Sequence, residues 1–496
     1  MRLSDLLRDE EMALMFATTG KNVEITGITA DSRNVEPGFL FAALPGAQTD
    51  GARFVPQALR QGAVAILGAP ALKTAFPDSG AEFLPAENAR KAFAMIAAHF
   101  CGAQPRQIAA VTGTNGKSSV VGFARQIWEH LGVRAASLGT LGLEPPLASD
   151  TGAQASPLTT PDPVRLHKLL AELATQKIDH LAMEASSHGL EQFRLDGVRV
   201  SIAVFTTFSR DHLDYHGSLE AYLAAKLRLF SELLDENGTA VLNADDAAFD
   251  SVQAICVQRG VRIFSYGEKG DALRLLESRP VADGQDVACE ILGKKTRFHL
   301  PLVGAFQAKN ALAALGLVHA AGADMANALA ILPKLRPIPG RMETIGRLAN
   351  GAQIHVDYAH TPDALANALR ALRPYAAGRL VVLFGCGGNR DRGKRPEMGA
   401  VADALADAVF VTDDNPRNED ASAIRQDILI ASRKGKEIPD RRLAIHAAIE
   451  SLGAGDVLLI AGKGHEQGQI VNAETLPFDD RDIARNAISA TGDTPK

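Results

Sequence analysis

Residues 108–131 read Ile108-Ala-Ala-Val-Thr-Gly-Thr-Asn-Gly-Lys-Ser-Ser-Val-Val-Gly-Phe-Ala-Arg-Gln-Ile-Trp-Glu-His-Leu131. An apolar run, Ile108 to Val111, enters a glycine-bearing loop, Thr112 to Ser119, and a helix is predicted over Val120 to Leu131. Strand, Gly loop, Lys and hydroxyl, then helix is the order a nucleotide-phosphate cradle requires. Backbone N–H groups and a helix N-terminus face the anion, Lys117 neutralises it, and the Ser118 hydroxyl can reach Mg²⁺. The commoner form, G-x-x-x-x-G-K-S/T, would place its first glycine at Val111. Turn chemistry alone does not explain Lys-Ser at a strand-to-helix junction, so Gly113, Thr114, Asn115, Gly116, Lys117, Ser118 and Ser119 are the candidate phosphate contacts.

Upstream, short β-rich runs (Val23 to Ile28, Phe39 to Ala43, Ala63 to Leu67) alternate with Gly, Pro and Asp turns. Helices are predicted at Val55 to Gln61 and Asn88 to Phe100. Downstream, His180 to Met183, Val200 to Phe205 and Thr239 to Leu242 are apolar strand runs with charged ends, where an open α/β sheet places its ligands. The Pro-rich segment Pro333 to Gly340 breaks the helical pattern. After it, strands at Gln353 to Val356, Leu380 to Phe384, Ala408 to Val411 and Val457 to Ile460 alternate with helices such as Pro362 to Leu372 and Met398 to Leu405. That alternation predicts a parallel, doubly wound sheet. The fold class is α/β in three domains: 1–105, a small α/β module; 106–335, a P-loop-type domain with a mostly parallel sheet; and 336–496, Rossmann-like.

The chain has 496 residues, 46% hydrophobic and 22% charged, with 52 basic and 58 acidic side chains and a net charge of −6. This excludes a disordered chain and gives no support to a nucleic-acid-coating role. Four cysteines without a CxxC pair carry no metal signature. The acidic start of the chain does not resemble a signal peptide, and no apolar run approaches membrane-spanning length. The expectation is a cytoplasmic protein with small-molecule partners, no nucleic acid and no membrane.

Two further stretches are dense in reactive groups. Met183-Glu-Ala-Ser-Ser-His-Gly189 puts a carboxylate at a strand end, where it can hold Mg²⁺. Ser209-Arg-Asp-His-Leu-Asp-Tyr-His216 packs acids, imidazoles and an arginine into eight positions. Lys226 follows, and in isolation it reads as an exposed helix lysine.

With these residues in view, the chain resembles the Mur ligases, ATP-dependent amide-bond formers of peptidoglycan precursor synthesis. The likeness rests on Thr112–Ser118, Met183–Leu190, Asp211–His216 with Lys226, Gly304–Asn310, Pro339–Glu343 and Val356–Asp363, and it spans nearly the whole chain. It implies that Lys117, Glu184, His212 and Lys226 are catalytic. Two Mg²⁺ ions would be held by Ser118, Glu184, His212 and Lys226, the last carbamylated by CO₂ into an anionic oxygen ligand. ATP is the implied co-substrate, contacted by the loop residues together with Asn310, Arg341 and Asp357. Gln307 and Thr207 stand where relatives often carry Asn, and Leu158 stands where a polar Asn is usual.

The same likeness makes the first domain a UDP-binding module. It implies UDP-MurNAc-L-Ala-D-Glu contacts at Ala30, Ser32, Gly46, Ala47, Gln48, Thr159, Thr160, Ser186, Gln192 and Arg194. In the C-terminal domain, Asp414-Asn-Pro-Arg417 resembles the form found where meso-diaminopimelate is added. An arginine fork suits the distal carboxylate that L-lysine lacks. Arg390, Asp414, Asn415, Pro416, Arg417, Gly462 and Glu466 are the implied diaminopimelate contacts. The chemistry implied is a two-step ligation through an acyl phosphate, with His212, His360 and the carboxylate cluster all open as the base for the amine. The rival readings are a sister ligase adding L-lysine and a non-catalytic sensor of UDP-peptides.

Overall fold

The computed structural model describes residues 1–7, 22–46, 49–75, 80–148 and 158–491. Among the described residues three main sheets follow one another along the chain. The first comprises β1 (Gly27–Thr29), β2 (Phe39–Ala42), β3 (Ala65–Gly68) and β4 (Glu82–Pro85), all parallel and in that order. Its first strand starts later than the Val23 expected. The N–H of Leu3 donates to Val23 O and that of Ile25 to Met1 O, so this stretch pairs with the start of the chain before it joins the sheet. Helix Ala89–Cys101 is capped by the Asn88 side chain and buries Phe93, Ile96 and Ala97 against the sheet.

The second sheet contains β5 (Gln107–Thr112), β6 (Ala135–Gly139), β7 (Gly142–Glu144), β8 (His180–Glu184), β9 (Val200–Phe205), β10 (Leu234–Asn243), β11 (Arg262–Gly267), β12 (Leu273–Val281), β13 (Gly284–Ile291) and β14 (Lys294–Leu300). Its order is β14-β13-β12-β11-β10-β9-β5-β8-β6-β7. The strands from β6 to β12 across the centre are parallel, while β7, β13 and β14 run antiparallel at the edges. Helix Lys117–His130 packs Phe123, Ile127 and Trp128 on one face beside helix Ala305–Ala320, and helices Pro163–Thr175 and Phe249–Gln258 cover the other. Both faces are buried, which is why the central strands read as continuous apolar runs. Truncating the buried Trp128 to Ala would cost about 3–5 kcal/mol.

The third sheet, β15 (Glu343–Arg347), β16 (Gln353–Asp357), β17 (Leu380–Phe384), β18 (Ala408–Val411), β19 (Gly435–Glu437) and β20 (Val457–Ala461), has the order β15-β16-β20-β17-β18-β19. Only β15 is antiparallel. Helices Pro362–Leu372, Lys394–Leu405 and Ala421–Leu429 pack on one face, and Arg441–Glu450 and Asp480–Ala490 on the other. A small hairpin, β21 (Gly468–Val471) and β22 (Glu474–Pro477), follows β20. Among the described residues no helix is long and apolar enough to cross a membrane.

Candidate active site

The carboxyl ends of β5, β8 and β9 face the C-terminal sheet across a cavity of about 710 Å³. Its floor is the loop after β5. Gly113 (φ +141°) lies so close to Thr206 that a Cβ would sit 1.9 Å from the threonine Oγ1, and a Cβ on Gly116 (φ +89°) would meet Asn310 Oδ1 at 2.7 Å. Only glycine satisfies both positions. The helix starts at Lys117 directly after Gly116, three residues before the Val120 expected, because the glycine's left-handed φ turns the chain into the first helical residue. Lys117 Nζ donates to the carbonyls of Gly113 (3.1 Å) and Thr114 (2.9 Å). Thr114 Oγ1 lies 3.2 Å from the Tyr222 hydroxyl.

Glu184 is buried at the end of β8. Its carboxylate accepts from Ser118 Oγ (2.8 Å), Thr140 N (2.9 Å) and Thr140 Oγ1 (3.1 Å), and Thr140 Oγ1 also lies 3.2 Å from Thr159 Oγ1. Lys226 is not the exposed lysine that its helical context suggested. It is 1% exposed on helix Leu219–Arg228, which passes into a π-helical turn at Leu229–Leu233. Its Nζ donates to Gly113 O at 2.8 Å and lies 4.3 Å from the centre of the Tyr222 ring. Burial, followed by the neighbouring Lys117, pushes the amine well below the usual lysine range.

His212 sits at φ +51°, in the left-handed region, with its N–H on Asp211 Oδ1 at 2.8 Å. Burial raises Asp211, but His212 and then His360 outweigh it and leave the carboxyl below its ordinary value. Glu184, His212 and Lys226 all line the cavity, yet no preformed cluster of three metal-ligating carboxylate, imidazole or thiol groups occurs among the described residues.

Asn310, Arg341 and Asp357 line the same cavity. Arg341 Nη2 donates to Ser118 Oγ at 3.1 Å, and its guanidinium stacks 4.3 Å from the Tyr358 ring centre. The Asp357 carboxylate accepts from the N–H groups of Met342 (2.7 Å) and Ala359 (2.8 Å), while burial raises its pKa against the pull of Arg341. Two of the three departures from the family pattern keep polar contacts. Gln307 accepts from Asn310 Nδ2 at 3.0 Å, and Thr207 Oγ1 accepts from Asn115 N at 3.1 Å. Leu158 is 42% exposed.

A second cavity, about 510 Å³, opens at the carboxyl ends of β16, β17, β18 and β20. Arg390, Asp414, Asn415, Arg417, Gly462 and Glu466 line it. Pro416 does not, its carbonyl backing onto Gly388 instead. Arg417 is in the left-handed region (φ +52°) and is held by hydrogen bonds from its N–H to Ile470 O (3.0 Å) and from Asn472 N to its carbonyl (2.8 Å). Its Nη1 donates to Gly388 O at 3.0 Å; burial and then Arg390 lower its pKa. Asp211, His212, Tyr358, His360, Thr361 and Asp363 line both cavities. The His360 Nδ1 lies 2.8 Å from Tyr358 O, and burial and then Lys394 lower the imidazole's pKa.

The remaining candidates fall in two groups. Thr160, Ser186, Gln192 and Arg194 form one network. Thr160 Oγ1 accepts from Ser186 Oγ (3.0 Å), and Arg194 donates to Thr160 O (2.8 Å) and Gln192 Oε1 (2.7 Å). Thr159 and Ser186 reach the first cavity. Ala30 and Gly46, both exposed, and Ser32, bonded to Gln57 Oε1 at 3.1 Å, follow β1 and β2 in the first domain and line neither cavity. Ala47 and Gln48 lie outside the described residues. Thr140, Tyr222, Tyr358 and Lys463 were not singled out from sequence. Each is an ordinary residue type whose role depends on what the fold brings beside it.

A P-loop-type sheet facing a Rossmann-like sheet across a shared cleft defines a nucleotide-dependent enzyme with a separate small-molecule pocket. Three family models match in succession: the Mur ligase family catalytic domain over residues 24–101, the Mur ligase middle domain over 111–318, and the Mur ligase glutamate ligase domain over 340–464. The chain belongs to the Mur ligase family. It is 51% identical over 486 residues to the UDP-N-acetylmuramoyl-L-alanyl-D-glutamate--2,6-diaminopimelate ligase of Caulobacter vibrioides, covering 97% of each chain. The enzyme of the same name from Bradyrhizobium diazoefficiens is also 51% identical, over 99% of each chain. A solved structure of a ligase of that name aligns over all of both chains with a TM-score of 0.71 and 34% identity. MurF ligase from Thermotoga maritima, in complex with ADP, shares the fold at a TM-score of 0.60 and 19% identity, covering 89% of this chain and 95% of its own.

Proposed function

We propose that this chain is an ATP-dependent ligase that joins meso-diaminopimelate to the D-Glu γ-carboxylate of UDP-MurNAc-L-Ala-D-Glu. The observation that carries the reading is the junction of two cavities: a phosphate loop opens into one, three arginines (Arg210, Arg390 and Arg417) line the other, and Asp211, His212 and His360 border both. Full-length likeness to ligases named for that reaction supports it. On that basis we divide the chain at 105/106 and 335/336, with one main sheet in each segment.

Lys117 and the loop amides would bind the ATP phosphates, with Asn310, Arg341 and Asp357 holding the nucleoside side. The hydroxyl of Ser118, the carboxylate of Glu184 and the imidazole of His212 form a donor set that fits Mg²⁺, joined by the oxygens of Lys226 once it is carbamylated. Bound there, Mg²⁺ would neutralise phosphate charge. The D-Glu γ-carboxylate attacks the γ-phosphorus of ATP, the bond to ADP breaks, and an acyl phosphate forms. The neutral amine of diaminopimelate then attacks the acyl carbon, phosphate leaves, and the amine proton passes to a group at the junction. Enclosure between two domains excludes water from the acyl phosphate.

Ala30, Ser32 and Gly46 to Gln48 would hold the UDP end, and Thr159, Thr160, Ser186, Gln192 and Arg194 the muramoyl peptide. Arg390 and Arg417 would pair with diaminopimelate carboxylates, with Asp414, Asn415, Gly462 and Glu466 around its amines. A cytoplasmic site for the reaction is part of the proposal, supported by its use of ATP and by four cysteines free of disulfides. Phosphate release measured with each substrate omitted in turn tests the proposal: turnover should require ATP, the UDP-dipeptide and meso-diaminopimelate together. Phosphate release indifferent to the amino acid would refute it.

A further inference from the structure

The loop after β20 reads Gly462-Lys-Gly-His-Glu466, and Lys463 within it is completely buried. A buried lysine is costly unless its charge is paired and hydrogen-bonded, so its partners state its purpose. Its Nζ donates to Glu466 Oε2 at 2.9 Å and to Asn415 Oδ1 at 3.0 Å. Asn415 Oδ1 also accepts from Ile470 N at 2.9 Å, a group that can only donate. The amide orientation is therefore fixed, and Nδ2 faces Glu466 Oε2 at 2.9 Å. Glu466 thus has one oxygen tied by two donors. Its Oε1 has no protein donor among the described residues, and the residue lines the amino-acid cavity.

The same amide links this loop to the hairpin β21–β22. Gln469 Nε2 donates to Asp414 O at 2.7 Å, and Ile470 and Asn472 hold the backbone of Arg417 in its left-handed conformation. One buried cation therefore sits behind both ends of the pocket: the carboxylate on one side and, through Asn415 and Ile470, the arginine on the other.

We propose that Lys463 is a positioning residue for amino-acid recognition, fixing Glu466 so that Oε1 is left to accept an ammonium group of the incoming amino acid and fixing Asn415 so that the Asp414–Arg417 turn keeps its shape. This rests on the ligase reading above. A lysine serving packing alone would be replaceable by methionine at similar volume with no effect specific to one substrate.

The test is steady-state kinetics on Lys463→Met, Glu466→Gln and the double variant, varying each substrate separately and recording Tm. Lys463→Gln, which keeps an NH₂ donor group, stands in if the methionine variant does not fold. Lys463→Met should raise KM for meso-diaminopimelate about tenfold or more, the effect of stranding a polar partner. KM for ATP and for the UDP-dipeptide should stay within about twofold, the spread of independent sites. Because Lys463 acts in part through Glu466, the double variant should raise the diaminopimelate KM by less than the product of the two single rises. Equal rises in all three KM values, an unchanged diaminopimelate KM, or strictly additive effects would overturn the proposal. Wild-type enzyme without diaminopimelate-dependent turnover would instead overturn the ligase reading beneath it.

Discussion

Lys117 and Lys226 donate to the same oxygen, Gly113 O, at 3.1 and 2.8 Å. Their nitrogens must therefore lie within ~6 Å, where two like charges repel by about 3 kcal/mol at an effective dielectric constant of about 20. That corresponds to about a hundredfold in a protonation equilibrium. Burial lowers both amines; Glu184 and Asp211 pull Lys117 back up against Arg341, whereas Lys226 has burial and Lys117 against it and Asp211 alone in its favour. The carbamylation proposed above needs Lys226 as the neutral amine that attacks CO₂: the N–C bond forms, a proton leaves to solvent, and a carbamate anion remains.

Four results should follow. Enzyme labelled with ¹³C-bicarbonate near neutral pH should show a carbamate resonance that Lys226→Ala lacks. Lys226→Ala should lose about 10²-fold or more in turnover, the scale of one preorganised electrostatic contact, and regain part of it with a small carboxylic acid in the buffer. Acidification favours the ammonium and should release the label, while Lys117→Met removes the repelling charge and should reduce labelling. A fully active wild-type enzyme with no carbamate signal would refute the reasoning.

Arg417→Ala should weaken diaminopimelate binding by roughly 2–5 kcal/mol, read as a raised KM, with ATP and UDP-dipeptide KM values unchanged and L-lysine still poor. Arg441 and Asp480 are a fully buried pair, joined at 2.7 Å through both carboxylate oxygens, and Arg441 also donates to Ala461 O just before the Lys463 loop. Arg441→Met should cost about 3–5 kcal/mol by stranding Asp480, and adding Asp480→Leu should recover most of it in denaturant titrations. Buried His167 has its pKa pulled from 6.5 down to about 4, chiefly by burial. The unfolded chain therefore takes up a proton that the folded one refuses, and stability falls as pH drops below about 6.5, by about 2 kcal/mol near pH 5. His167→Gln should flatten that part of the stability–pH curve.

The parallel sheets were legible because strands buried on both faces must be apolar throughout, as in Leu380–Phe384 and Val457–Ala461. The start of the loop helix was misplaced because φ at Gly116, not the apolar period, sets where helix begins. The β12–β14 edge was not read from sequence; its strands are only partly buried and lack the continuous apolar runs that mark the centre. Glu184 and Lys117 stood out by type and spacing. Lys226 and Lys463 could not, since a lysine is taken as solvent-exposed until tertiary packing buries it, and Lys463 lies between two residues that were themselves singled out. Thr140 meets Glu184 only because β6 pairs with β8.

The most direct test of the ligase assignment is mass spectrometry of the nucleotide product after enzyme, ATP, Mg²⁺ and UDP-MurNAc-L-Ala-D-Glu are incubated with equal concentrations of meso-diaminopimelate and L-lysine. The expected product is the UDP-muramoyl tripeptide ending in diaminopimelate, formed together with ADP and phosphate. A tripeptide ending in lysine, or an unchanged dipeptide, would contradict the assignment.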